Sequence, residues 1–337
     1  MKIVVLTKNY GAGFTGATTS TNELIRMWQN KGISIEVYTN NIVGTTNENI
    51  NIKKISFSSL LKLKRESTNI VGYSDDHFGW LFWLFRIPYI HTYHGNWPDV
   101  MTLSLKMFLK SFYFIPQYGI TFFGARKVGL VSNKTKKFVE KFNKNTLLAR
   151  NGVDVVPKEY DGEKILGASS TLNVIMVGNI DVRKYSDAIL IFEQMSQSVE
   201  QRVNFSIYGK IIDEKLAAKI KKFPFVEICG FQKKIPYSKY QLLLSTSKSE
   251  NLSIAQTEAI VSGIPVLAYD VGGTSELVKL NQTGWIIPKG RYDLMIDKMN
   301  DVASQEHIKF NNKRIIDEFN WEQTGEKYLN AMNFVRK

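Results

Sequence analysis

The segment Ser249-Glu250-Asn251-Leu252-Ser253-Ile254-Ala255-Gln256-Thr257-Glu258-Ala259 sets two carboxylates eight residues apart around a helix start. Ser253 with Gln256 three positions later is a capping box, so a helix is expected to begin after Ser253. Gly263 with Pro265 two residues on is a stop signal. Glu250 then lies in the loop before the helix and Glu258 more than a turn inside it. Between them stands a helix N-terminus, whose free N–H groups and dipole favour an anion. Two acids about 12 Å apart, at 1.5 Å per residue, could each accept from hydroxyls on either side of that anion. A nucleotide diphosphate sugar has this layout: sugar, pyrophosphate, ribose. A capped amphipathic helix with two solvated glutamates accounts for the same residues, and helix logic alone leaves both readings open.

The other chemistry-bearing residues are sparser. Gly11-Ala12-Gly13-Phe14-Thr15-Gly16 is literally a G-x-G-x-x-G, the pattern of dinucleotide-binding loops. Two details argue against that use. Lys8-Asn9-Tyr10 intervene between the strand and the first glycine, and Thr39 and Asn40 stand where an acid should end the second strand. His94-Gly95 and Asp75-Asp76-His77 follow apolar runs, but no Asp-x-Asp sits convincingly at a strand end, and no metal site is expected. The single cysteine, Cys229, allows neither a disulfide framework nor a Cys-based metal centre. No Ser-His-Asp or Cys-His spacing suggests a covalent nucleophile.

Alternating strands and helices must position these residues. Lys2–Thr7 reads as a buried parallel strand, Lys8 to Thr19 as a Gly/Thr-rich loop, and the stretch to about Lys31 as a helix with Leu24, Met27 and Trp28 on one stripe. Ile33–Thr39, Ile87–Tyr93 and Val128–Val131 are further strands. A second series starts near Leu172: strand Asn173–Val177, helix Asp187–Gln197, then strands Val203–Tyr208, Val226–Cys229, Gln241–Ser245 and Pro265–Tyr269. Two such series imply two Rossmann-like domains, with a boundary in the polar stretch Asn151–Gly167. Ligands of such sheets bind at the carboxyl ends of the strands.

Glu-x7-Glu ahead of Ala-x-x-x-Gly-x-Pro-Val, then Val271-Gly272-Gly273-Thr274-Ser275-Glu276-Leu277-Val278, resembles the retaining glycosyltransferases of family 4. Asn151-Gly152-Val153-Asp154, Val177-Gly178 with Arg183-Lys184, and Phe319-Asn320-Trp321-Glu322 are similar to further motifs of that family, in the same order. The resemblance implies a GT-B fold: two Rossmann-like α/β domains with parallel sheets facing across a cleft. Residues 1–155 would form an acceptor-side domain, 156–318 a nucleotide-sugar donor domain, and 319–337 a helix crossing back onto the first. It implies that Glu250 holds donor-sugar hydroxyls, helped by the backbone N–H groups of Asn251, Leu252, Ser253 and Ile254. Glu258 would accept from the ribose, and Lys184 with Arg183 would neutralise the departing pyrophosphate. The family often has Gly-Arg where this chain has Gly178-Asn179, and Arg183 is assigned the missing charge. His94 would point at the reacting sugar or the acceptor, and the loop ending at Gly16 would let donor phosphates approach the backbone. No metal or other cofactor is implied; a nucleotide sugar, UDP-linked by preference, is the co-substrate.

Charge adds a partner. Residues 1–150 carry 20 Lys and Arg against 8 Asp and Glu, whereas the rest of the chain carries 24 against 23. Cations interleave with bulky apolar residues in Lys62-Leu63-Lys64-Arg65 and Leu105-Lys106-Met107-Phe108-Leu109-Lys110. That texture suits a helix on an anionic membrane surface; solvated surface around core positions explains it equally. The opening run is too short for a signal-peptide core and the most apolar stretch, Trp80 to Phe85, too short for a membrane span, so a cytoplasmic, at most peripheral, location is expected. A glycan or lipid-linked acceptor in bacterial surface-polysaccharide synthesis fits these features. A nucleotide-sugar epimerase of the same fold is the enzymatic alternative. A basic nucleic-acid-binding protein is the non-catalytic one, and it gives the two acids and the capped helix no role.

Overall fold

The computed structural model describes residues 2–65, 69–166, 171–197, 203–304 and 307–336. The chain divides into two compact units, Met1–Gly152 with Phe319–Lys337, and Val153–Glu318.

The first unit is built on a seven-stranded parallel sheet: β1 (Lys2–Tyr10), β2 (Ser34–Ile42), β3 (Asn51–Lys54), β4 (Ile70–Ser74), β5 (Tyr89–Tyr93), β6 (Lys127–Leu130) and β7 (Thr146–Leu148), in the order β3-β2-β1-β4-β5-β6-β7. Its helices are α1 (Gly16–Asn30), α2 (Phe57–Arg65), α3 (Trp80–Leu84), α4 (Trp97–Val100), α5 (Leu105–Gly124) and α6 (Lys136–Val139). Strand order reverses between β1 and β4, the switch point where such sheets take ligands. One core lies on each face of the sheet, as expected when both faces of parallel strands are covered.

The second unit repeats the plan with six parallel strands: β9 (Leu172–Val177), β10 (Val203–Tyr208), β11 (Val226–Gly230), β12 (Leu242–Ser245), β13 (Val266–Tyr269) and β14 (Gly284–Ile287), in the order β11-β10-β9-β12-β13-β14. This is the 3-2-1-4-5-6 order, with its switch point between β9 and β12. Its helices are α7 (Val182–Met195), α8 (Glu214–Ile220), α9 (Ile254–Val261), α10 (Thr274–Leu277), α11 (Tyr292–Ala303) and α12 (Lys313–Glu318). The stretch expected as a plain linker holds β8 (Asp161–Ile165), which pairs antiparallel with β15 (His307–Asn311). Gly167 lies outside the described residues. Asn312 locks this ribbon: its amide donates to Lys158 O at 2.9 Å and Ile260 O at 2.7 Å, and its Oδ1 accepts from Tyr160 N at 2.9 Å.

The last helix, α13 (Trp321–Arg336), belongs to the first unit. Tyr328, Ala331 and Met332 enter the core of that unit beside Trp28 and Tyr73. Trp28 meets Tyr73 edge-on at 5.2 Å, and Tyr73 meets Tyr328 at 5.7 Å. Trp28 Nε1 donates to Gly325 O at 3.2 Å, and Thr92 Oγ1 donates to the Tyr328 hydroxyl at 2.7 Å. Full burial of side chains of this size contributes roughly 1.5–3 kcal/mol each, so the unit depends on its returning helix.

Candidate functional site

Local chemistry places α9 as the sequence requires. Ser253 is its N-cap and accepts from Gln256 N at 3.4 Å, and Gly263, with φ +82°, ends it. The reciprocal half of the expected capping box is missing: the Gln256 side chain is buried with both polar atoms unpartnered instead of reaching back. Glu250 precedes α9 and Glu258 lies within it.

The helix after β9 differs more from expectation. It was expected from Asp187 to Gln197 but begins at Val182, with Asp181 as N-cap accepting from Lys184 N at 2.9 Å. A capping aspartate with lysine at the third helical position lacks the acidic partner that marks a start in sequence. As a result Arg183 and Lys184 sit in the first turn of α7, just past the end of β9. Two cations at the positive pole of a helix are mutually unfavourable unless an anion joins them.

Glu250 supplies such an anion, alongside the capping Asp181, whose Oδ2 lies 3.9 Å from Arg183 Nη2. Glu250 Oε1 lies 3.2 Å from Lys184 Nζ and 3.4 Å from Arg183 Nη1. Burial alone would push the Glu250 carboxyl up, but Lys184, Arg183 and Ser247 outweigh it and hold it below the usual range. Arg183 also donates to Ser247 Oγ at 3.1 Å and to Ser249 O, and Thr246 Oγ1 donates to Lys184 O at 2.6 Å. The 246–250 loop after β12 is thereby laced to the first turn of α7 after β9, across the switch point. Gly178 lets Lys184 fold over it: a Cβ there would stand 2.6 Å from Nζ, at φ +148°. Asn179 Oδ1 accepts from Lys210 N at 3.4 Å. A loop from β13 presses on the other side, where Gly272 at φ +54° would bring a Cβ within 1.7 Å of Glu250 O, and Gly273 N donates to Asn251 O at 2.6 Å.

Glu258 has a partner that sequence gave no signal for. The Tyr237 hydroxyl donates to its Oε2 at 2.7 Å. Burial, with Asp154 adding to it, raises the Glu258 carboxyl to about 6 against the opposing pull of Tyr237. The second unit thus gathers Gly178, Asn179, Arg183, Lys184 and Glu250 at one switch point. Asn251, Leu252, Ser253, Ile254 and Glu258 follow on α9 and the loop that leads into it.

Gly16 and His94 belong to the first unit. β1 runs to Tyr10, directly into Gly11, so the expected break at Lys8–Tyr10 is absent and the first argument against a dinucleotide loop falls. The second stands: the acid of β2 is Glu36, near its start, and it pairs with Lys2 at 2.6 Å and with Lys53. Gly16 opens α1, capped by Thr15, whose side chain exchanges hydrogen bonds with Thr18. His94, just past β5, has a buried Nε2 without a partner, and burial lowers its imidazole to about 4, so it is neutral at pH 7. Asp75 accepts from Thr21 Oγ1 at 2.5 Å, and Asp76 accepts from Phe78 N at 2.8 Å and from Lys8 N; both acids brace the end of β4. Among the described residues no group of three or more His, Cys, Asp or Glu is gathered as a metal site.

Two units of this topology, each with its candidate residues at the strand ends, define a GT-B glycosyltransferase fold. The chain is similar in fold to Anabaena HepE in complex with UDP-glucose, at TM-score 0.74 and 16% identity, over 99% of this chain and 100% of that one. Residues 171–305 match the family model described as glycosyl transferases group 1. A poly(ribitol-phosphate) alpha-N-acetylglucosaminyltransferase of Staphylococcus aureus is 26% identical over 52% of this chain and 37% of its own length. The GtfA subunit of a UDP-N-acetylglucosamine–peptide N-acetylglucosaminyltransferase of Streptococcus parasanguinis is 27% identical over 51% of this chain and 37% of its own. The chain spans little more than a third of the length of these two relatives.

Proposed function

We propose that this protein is a retaining glycosyltransferase of the family 4 kind. It moves a sugar from a UDP-sugar to a hydroxyl of a glycan or lipid-linked acceptor in bacterial surface-polysaccharide synthesis, without a metal. The observation that carries the reading is the Glu250–Lys184–Arg183 cluster at the switch point of the second sheet. Glu250 accepts from donor-sugar hydroxyls, and the N-terminus of α9 with Lys184 and Arg183 faces the diphosphate. Glu258, steadied by Tyr237, accepts from the ribose. Gly16, which opens α1, and His94, just past β5, keep the donor and acceptor roles that the resemblance implies for them.

The acceptor hydroxyl attacks the anomeric carbon from the face the nucleotide leaves. The bond to the β-phosphate oxygen breaks, and that oxygen takes the hydroxyl proton. Charge accumulates on the departing diphosphate, where preorganised cations act most strongly; losing one such donor costs roughly 3–4 kcal/mol. The names of relatives support the donor class: one acts with UDP-N-acetylglucosamine, and a protein of like fold binds UDP-glucose. We assign the enzyme to the cytoplasm, peripheral to the inner face of the plasma membrane, a reading supported by the basic charge of residues 1–150.

Thermal-shift screening against UDP-, GDP-, ADP- and dTDP-sugars tests the reading. The matching donor is expected to stabilise the fold by about 2.7 kcal/mol at a hundredfold excess over its dissociation constant. No shift with any member of the panel would refute it.

A further inference from the structure

Helix α5 is amphipathic the wrong way round for a plain surface helix. Its inner side buries Ser111, Tyr118, Gly119, Thr121 and Phe122. Its outer side shows Leu105, Phe108, Leu109, Phe112, Ile120 and Phe123 to the exterior, positions that fall along one side of the helix. Phe112 and Phe123 are each 67% exposed. The stripe continues onto α3, where Trp83 meets Phe123 edge-on at 6.4 Å. Farther along the same unit α2 exposes Phe57, packed on Phe85 at 5.3 Å. Large contiguous apolar patches of this kind are rare on monomers and mark contact surfaces.

Charge selects the occupant. Between His77 and Val139 the chain has eight Lys and Arg and one acid, Asp99. Arg86, Lys106, Lys110 and Arg126 are exposed beside the stripe, and α2 adds Lys62, Lys64 and Arg65. A second copy docked symmetrically would set these cations against themselves. An anionic bilayer accepts both features, with aromatic and aliphatic side chains among the headgroups and cations at the phosphates. No described helix is long and apolar enough to cross a membrane, so a docked α5 would lie along the bilayer surface.

We propose that the outer face of α5, extended by α3 and α2, docks this protein on an anionic phospholipid bilayer, which deepens the reading of a lipid-linked acceptor on which it rests. The full chain is tested by co-sedimentation at low salt with phosphatidylglycerol–phosphatidylcholine vesicles and with pure phosphatidylcholine vesicles. Wild type is expected to bind the anionic vesicles and to leave them as salt rises. Lys106→Glu with Lys110→Glu is expected to weaken binding by at least about 25-fold, at about fivefold for each cation lost. Phe112→Ser with Phe123→Ser is expected to weaken binding by at least tenfold, each side chain losing several buried methylene equivalents. UDP-sugar binding, measured by calorimetry on the same variants, is expected to stay unchanged, which separates failure of this surface from failure of the donor site. Wild type that ignores anionic vesicles overturns the proposal. So does a Phe112→Ser, Phe123→Ser variant that binds like wild type, or a stable dimer that those substitutions dissolve.

Discussion

Gly272→Ala is the most demanding single test of how Glu250 is held. The backbone at Gly272 has φ +54°, a left-handed conformation, and an added Cβ would lie 1.7 Å from Glu250 O, 2.6 Å from Glu250 C and 3.1 Å from Asn251 O. The neighbours are backbone atoms, so no side chain can rotate away. Relief needs the 250–251 peptide to move by roughly 1.3 Å or more, since real Cβ atoms essentially never come within 3.0 Å of a neighbour. The left-handed conformation itself costs an alanine roughly 1–2 kcal/mol. A misplacement of about 1 Å costs a positioned group on the order of a hundredfold in rate. Gly272→Ala is therefore expected to lose at least about a hundredfold in UDP-sugar turnover, followed by UDP release, and at least about 1 kcal/mol of stability in urea. A variant that folds and turns over within threefold of wild type would refute the claim that the β13 loop fixes Glu250 for the donor.

Three further outcomes follow from the same geometry. Lys184→Ala removes one of the two cations beside Glu250, so the Glu250 carboxyl should titrate higher by NMR and UDP affinity should fall about 10- to 100-fold. The Glu258 carboxyl titrates near 6 in the fold against 4.5 unperturbed, so the stability of its protonated form is present below 4.5 and is lost as pH rises through 6. Glu258→Gln, which stays neutral, should then gain about 2 kcal/mol in urea unfolding at pH 8 and nothing at pH 4, while losing donor affinity. Tyr328→Phe removes the partner of a buried Thr92 hydroxyl and should cost about 1 kcal/mol in denaturant, and Tyr328→Ala about 3–5 kcal/mol by opening the core under α13.

The parts of the fold that local chemistry dictates were readable in the chain. The Ser253 cap and Gly263 stop framed α9 because each acts within one helical turn. β10 matched residue for residue, with Val203, Phe205 and Ile207 alternating with polar Asn204 and Ser206. What escaped was set at long range. β1 continues through Lys8, Asn9 and Tyr10 because Asn9 and Tyr10 pair with Asn41 and Ile42; polar Lys8 and Asn9 interrupt the apolar run before Tyr10, which is fully buried. The β8–β15 ribbon joins residues far apart in sequence through Asn312 and looked like a linker. Residue types at the site were legible, but their mutual use was not. The roles of Ser247 and Ser249 as acceptors for Arg183, and of Tyr237 as donor to Glu258, depend on loops brought together by strand order alone.

The most direct measurement is calorimetric titration of UDP and of a UDP-sugar into wild type, Lys184→Ala and Glu250→Ala. If the cluster faces a diphosphate with Glu250 on the sugar, Lys184→Ala weakens both ligands. Glu250→Ala then leaves UDP binding unchanged or tighter and weakens the UDP-sugar alone. Equal UDP affinity in wild type and Lys184→Ala, or equal loss of both ligands in Glu250→Ala, would contradict the account.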